Sequence, residues 1–378
     1  MKTYGRTAIS ETLGDRIVYR NLAPLDPRLP ALGDVAGELG LPASSIPRKS
    51  EADYARVVVR LLKAAMDLDA PGRRLERLVF VGDTRMNDST AFANLCQAGN
   101  WPGLAFIGAE TKAPPEVEMV NMPGGHPLYL ANRWSALPDF DHYCAAQGLP
   151  VDETTAVVVD LDKTALGARG RNAHVIDDAR VRAVHTTVAG LLGAAFDQQV
   201  FQTAYDQLKQ PEFHPFTADN QDYLAYICLV LGSGLIDTGA LIADVRRKKV
   251  ISFRQFIDIV EARLDELPGG LVEIHAEIYA LVQAGDPTPF KAFRRNEYLE
   301  TVGRMGYLAD GTPVEILLRD EIVLTQEVRQ MAQEWRQRGA LLFGLSDKPD
   351  EASIPTPEQA DQGFLPIHRT LTHAVGEE

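Results

Sequence analysis

The sequence predicts an α/β fold in which a parallel sheet is interrupted by a large, mainly α-helical insertion. Three observations carry that reading. Short apolar runs at 78–81, 104–107, 156–159 and 341–345 alternate with segments of helical spacing, the pattern of strands joined by crossover helices. The run Ala156-Val157-Val158-Val159 is continuously apolar and rich in β-branched residues, as a central strand covered on both faces requires. Between the third and fourth runs, residues 175–300 keep a mainly helical period. The 378 residues and 45% hydrophobic content are enough for two or three domains.

The elements follow in order. Residues 1–48 are mixed in pattern, with turns expected around Pro24, Pro27 and Pro30. Tyr54, Val57, Val58, Leu61, Leu62 and Ala65 recur every three or four positions and predict a helix over 50–66. Leu78-Val79-Phe80-Val81 reads as a buried strand stopped by Gly82-Asp83, with a helix over 89–96 after it. A short strand is expected at 104–107, and a turn and helix within 129–147. Beyond the 156–159 strand, helical spacing covers 181–196, 222–231, 253–264 and 271–282. Ile316-Leu317-Leu318 leads to a helix over 325–337, with Thr325 as candidate N-cap and Gly339 as the C′ residue that ends it. A last buried strand is expected at 341–345. The C-terminal segment is rich in proline and charge, with order expected over 364–374.

Composition narrows the function. Acidic side chains number 52 against 38 basic ones, a net charge of −14. Binding a nucleic-acid backbone needs a dense basic face, so no nucleic-acid partner is expected. A small phosphorylated substrate needs only a local positive pocket. The run Arg246-Arg247-Lys248-Lys249 reads as a solvated helix end. Cys96, Cys144 and Cys228 are too few and too far apart for a disulfide framework or zinc spacing, which points to a reducing, cytoplasmic setting. The first residues lead into no apolar signal segment. The most apolar stretch, 223–235, is too short to span a bilayer, so no membrane partner is expected. His174, His185 and His214 lack metal-ligand spacing.

Four segments carry chemistry. In Asp160-Leu161-Asp162-Lys163-Thr164 two carboxylates follow a buried strand, at the edge where open α/β sheets place their sites. Two such carboxylates repel unless a cation intervenes, and a hard divalent ion such as Mg2+ prefers their oxygens. In Gly82-Asp83-Thr84-Arg85-Met86-Asn87-Asp88 a second strand ends in acids. Asp83 and Asp88 complete a metal site there, or Asp88 merely caps the next helix. Ser346, at the end of the last strand, suits a phosphate oxygen, or sits in an ordinary turn. Lys49, just before a helix, suits a developing negative charge, or is a surface lysine.

Together these segments resemble the haloacid dehalogenase-like (HAD-like) superfamily of phosphohydrolases. Asp160, Asp162 and Thr164 match its first motif, Ser346 its second, Lys49 its third, and Gly82, Asp83 and Asp88 its fourth. The order along the chain is third, fourth, first, second, which is what a circular permutation of a Rossmann-like core would give. The original ends would be joined through 109–155. The core would comprise 1–164 and 325–378, and 165–324 would be the cap domain. The resemblance implies a Mg2+-dependent phosphatase. Asp160 would be the nucleophile, Asp162 the general acid and base, and Thr164 the residue orienting the loop. Ser346 and Lys49 would hold phosphoryl oxygens, with Lys348 the rival to Lys49. Asp83, Asp88, Asp160 and the backbone carbonyl of Asp162 would bind Mg2+. A non-catalytic binding protein of the same fold and a phosphomutase are the alternatives; the acid at Asp162 separates a phosphatase from dehalogenase relatives. Arg169 or Arg171 would contact an anionic substrate or belong to a solvated hinge, and Arg294-Arg295 is open in the same way.

Overall fold

A computed structural model of the chain describes residues 1–42, 46–122 and 124–377. The strands among these residues are β1 (Lys2–Thr7), β2 (Ile17–Val18), β3 (Arg77–Gly82), β4 (Gly103–Gly108), β5 (Val117–Asn121), β6 (Pro127–Ala131), β7 (Thr155–Asp160), β8 (Leu324–Thr325), β9 (Leu341–Leu345) and β10 (Thr372–Gly376). Seven of them form one sheet in the order β2-β9-β7-β3-β4-β6-β5, parallel throughout except for β5 at the edge. The fold is therefore α/β with a mixed, largely parallel sheet. The four strands expected from apolar runs are its central ones, and all six residues of β7 are buried. A second sheet, β1-β10-β8, gathers both ends of the chain.

Helices cover the faces. The helix Ala52–Asp69 buries Tyr54, Val57, Val58, Leu61, Leu62 and Ala65, the positions whose spacing predicts it. They meet Leu78 and Phe80 of β3, Val158 of β7 and Phe343 of β9 in one core. Truncating a fully buried Phe80 to alanine would cost about 3–5 kcal/mol. The helix Gln326–Gln337 ends as its sequence predicts. Gly339 adopts φ +91°, its N–H donates to Arg336 O, and Ala340 N–H donates to Trp335 O, so the last carbonyls are satisfied.

Three expectations need correction. The stretch 129–147 is not only a turn and helix: β6 enters it, pairs with β4, and forms a hairpin with β5. Ile316-Leu317-Leu318 lies inside a helix of its own, Val314–Asp320, and the strand before the next helix is β8. Thr325 stands at the N-cap position but makes no side-chain cap; its hydroxyl donates to Thr164 O at 2.5 Å.

A second compact unit spans Ala179–Glu300, narrower than the expected 165–324; residues 165–178 and 301–324 belong to the first unit. Its helices include Gln198–Leu208, Gln221–Gly232, Thr238–Arg246, Phe253–Glu261 and Gly269–Gln283. The first four begin at Asp197, Asn220, Asp237 and Ser252, whose side chains accept the orphan N–H groups. Phe201, Ile227, Phe256, Val260 and Ile278 are among its core residues. Arg246 to Lys249 are exposed at a helix end, as expected. No helix among the described residues is long and apolar enough to cross a membrane.

Candidate active site

Register brings the chemistry-bearing segments to one place. β9, β7 and β3 are adjacent and parallel, with Val81 opposite Val159 and Asp160 opposite Leu345. Asp160 therefore ends the middle strand, Asp83 follows Gly82 on one side, and Ser346 follows Leu345 on the other. Lys49 precedes the helix Ala52–Asp69. A carboxylate oxygen from each of Asp83, Asp88 and Asp160 lies within 4.8 Å of the others, and all three residues are buried.

Two cationic side chains oppose these acids. Lys49 Nζ donates to Asp88 Oδ1 at 2.7 Å and to Asp160 Oδ1 at 2.5 Å, with its ammonium 5.6 Å from the centre of the Phe80 ring. Arg169 Nε donates to Asp83 Oδ2. Asp88 lies in the first turn of the helix Asn87–Gly99 and does not cap it as an N-cap residue. Its Oδ2 reaches back to accept from Asp83 N at 2.9 Å, Thr84 N at 2.8 Å and Thr84 Oγ1 at 2.8 Å. The β3 turn is thus built around this one carboxylate.

The titration of each acid follows from its partners. Burial raises the Asp160 carboxyl well above the usual carboxylate range; Lys49 opposes the rise, and the charges of Asp88 and Asp83 add to it. Burial and then the Asp88 charge push Asp83 up to about 6, against the pull of Arg169. Burial would raise Asp88 too, but Lys49 and the Thr84 donors outweigh it and hold that group low. Lys49 is fully buried, yet Asp160 and Asp88 keep it protonated far up the scale.

The other expected residues divide. Asp162 lies half-buried in the turn after β7, and its side chain is not among the three clustered carboxylates. Thr164 is fully buried with its hydroxyl unpartnered, so it is its carbonyl, accepting from Thr325, that ties the loop. Ser346 is buried; its Oγ accepts from Lys348 N at 3.1 Å, which leaves its O–H to donate. Lys348 is buried beside Ser346, and Lys49 reaches Asp88 and Asp160. Arg171 does not belong to a solvated hinge: it is buried, with Nε donating to Glu110 at 2.8 Å and its terminal nitrogens to Glu327 at 2.9 Å. Arg294 is likewise buried, against Asp222 and Glu297.

Three neighbours escape the motif reading. Thr84 holds Asp88. Arg20 Nη1 pairs with Asp347 at 2.8 Å, beside the Ser346 loop. Tyr54 is fully buried with its hydroxyl unpartnered, and burial raises it while the charges of Lys49, Asp347 and Asp160 also act on it. Tyr54 reads as one position in an apolar helical stripe, and only its spacing of five residues from Lys49 hints at the site.

Chemically, three carboxylate oxygens on one spot are the donor set of a hard divalent cation. No protein-family model, no curated protein and no solved structure matches the chain.

Proposed function

We propose that the chain is a Mg2+-dependent phosphatase acting on a small phosphorylated metabolite, with a HAD-like core in circularly permuted order and residues of the 165–324 region as its cap. One observation carries the reading: Asp83 and Asp88 from one segment and Asp160 from another converge at the C-terminal edge of adjacent parallel strands, where Lys49, from a third, reaches Asp88 and Asp160. Support for the permutation comes from the strand order, in which β9, β7 and β3 bring the second, first and fourth motifs side by side although they are far apart and rearranged along the chain.

The chain's own residues then divide the work. An Asp160 carboxylate oxygen attacks phosphorus, the bond to the leaving oxygen breaks, and Asp162 delivers the proton that the leaving alcohol needs. Asp162, now a carboxylate, takes a proton from water as that water attacks the aspartyl phosphate. Phosphate leaves and the Asp160 carboxylate is restored. Lys49 and the Ser346 hydroxyl donate to the phosphoryl oxygens, while Asp83 and Asp88 with Asp160 would hold Mg2+. When bound, Mg2+ supplies the positive charge that lets a phosphate dianion approach a carboxylate.

The test is hydrolysis of an aryl phosphate with and without Mg2+, with Asp160→Asn as control. Turnover that needs both Mg2+ and Asp160 supports the proposal. Turnover indifferent to either, or none across a panel of phosphorylated metabolites, refutes it.

A further inference from the structure

The acid cluster holds an arginine that the proposed chemistry does not use. Lys49 and Arg169 donate to its three buried carboxylates. The two cations differ in how they are held. The Lys49 side chain is 6% exposed and bridges two acids, so it is fixed. The Arg169 side chain is 40% exposed and touches the cluster through Asp83.

Its backbone, by contrast, is firmly placed. Arg169 N–H donates to Lys163 O at 2.8 Å, and its carbonyl accepts from Glu110 N at 3.0 Å and Trp134 Nε1 at 3.3 Å. Gly170 follows at φ +80°, so close to Glu110 that a Cβ there would lie 1.9 Å from the Glu110 carbonyl oxygen. Arg171 then clamps Glu110 and Glu327. This scaffold delivers one guanidinium to one carboxylate, yet leaves the side chain an open route to solvent.

Resting on the metal-site reading above, we infer that Arg169 is a resident counter-cation of the cluster, held on Asp83 while no divalent ion is bound and displaced from it when one binds. Asp83 Oδ2 does not serve the guanidinium and an inner-sphere ion at once, and two cations at that distance repel. Arg169 thereby lowers the repulsion among the acids without the ion and lowers the affinity for the ion.

Calorimetric titration of Mg2+ into the full-length chain tests this. Arg169→Gln removes the competitor and should bind Mg2+ about tenfold more tightly than wild type, the equivalent of one charge-assisted hydrogen bond. Arg169→Lys, whose point charge lacks the fork, should fall between them. With EDTA present Arg169→Gln should melt below wild type, and Mg2+ should raise its Tm by more. If Arg169→Gln does not fold, the lysine variant carries the test. Affinity equal to or weaker than wild type in the folded variant overturns the inference while leaving the metal site standing. Failure of the wild type itself to bind Mg2+ overturns both.

Discussion

Two buried ion networks in this chain are built to different rules. In the helical unit, Arg294 donates Nε at 2.8 Å and Nη2 at 2.5 Å to Asp222, and Nη1 at 2.6 Å to Glu297, while Arg180 donates to Glu297 at 3.0 Å. Asp222 accepts again from Phe290 N. Each of these two carboxylates is met directly by a guanidinium. At the edge of the sheet, Lys49 and Arg169 face three carboxylates. Burial pushes the carboxyl groups of Asp160 and Asp83 upward, and the charges of the neighbouring acids add to the rise. At Asp222, which burial also raises, Arg294 is the main opposing partner. A network whose carboxylates are each paired with a guanidinium is read as scaffold. Three carboxylates around Lys49 and Arg169 leave a place for positive charge, and that difference separates the candidate active site from the Arg294 cluster.

The contrast can be broken by substitution, and the largest effect is expected at Asp160. Asp160→Asn should lower Mg2+-dependent phosphatase turnover by at least about 10^3-fold, because it removes the attacking group. The folded state in EDTA should survive, since one of three repelling charges is gone; circular dichroism checks this. Asp222→Ala should do the reverse. It strips a paired network, leaves Arg294 short of a partner in the core, and should cost about 3–5 kcal/mol, read as a lower urea midpoint. A mild effect at Asp222 would erase the distinction.

The pH dependence sharpens it further. A carboxyl raised by folding still holds a proton that the unfolded chain has released, so stability falls as pH climbs from the ordinary value of 3.8 to about 6 at Asp83. In EDTA the wild type should lose roughly 2–3 kcal/mol through that window from this group, and Asp83→Asn should not. Urea unfolding at pH 5 and pH 7 reads the difference; parallel slopes for the two proteins would contradict the contrast. The smallest effect is expected at Ser346. Its hydroxyl is one donor among several, so Ser346→Ala should lower turnover about 10- to 100-fold.

How far the sequence reveals all this depends on whether a signal is local. The four central strands are apolar runs buried on both faces, and such runs stand out. β5 is Val117-Glu118-Met119-Val120-Asn121 on an exposed edge, and its partner β6 opens on a proline, so neither resembles a core strand. β2 has two residues and is a strand only because β9 lies beside it. The acids of the site are visible because each ends a strand or opens a helix. The roles of Arg169, Arg171 and Thr325 are not, because each depends on a partner far along the chain: Asp83, Glu327 and Thr164.

The central claim is that Asp160 takes the phosphoryl group within a Mg2+-dependent acid cluster. Borohydride reduction during turnover, followed by mass-spectrometric peptide mapping, tests it most directly, because an aspartyl phosphate is reduced to homoserine. The account predicts homoserine at position 160, dependent on both substrate and Mg2+. Turnover with no change at 160, or reduction at another carboxylate, would contradict it.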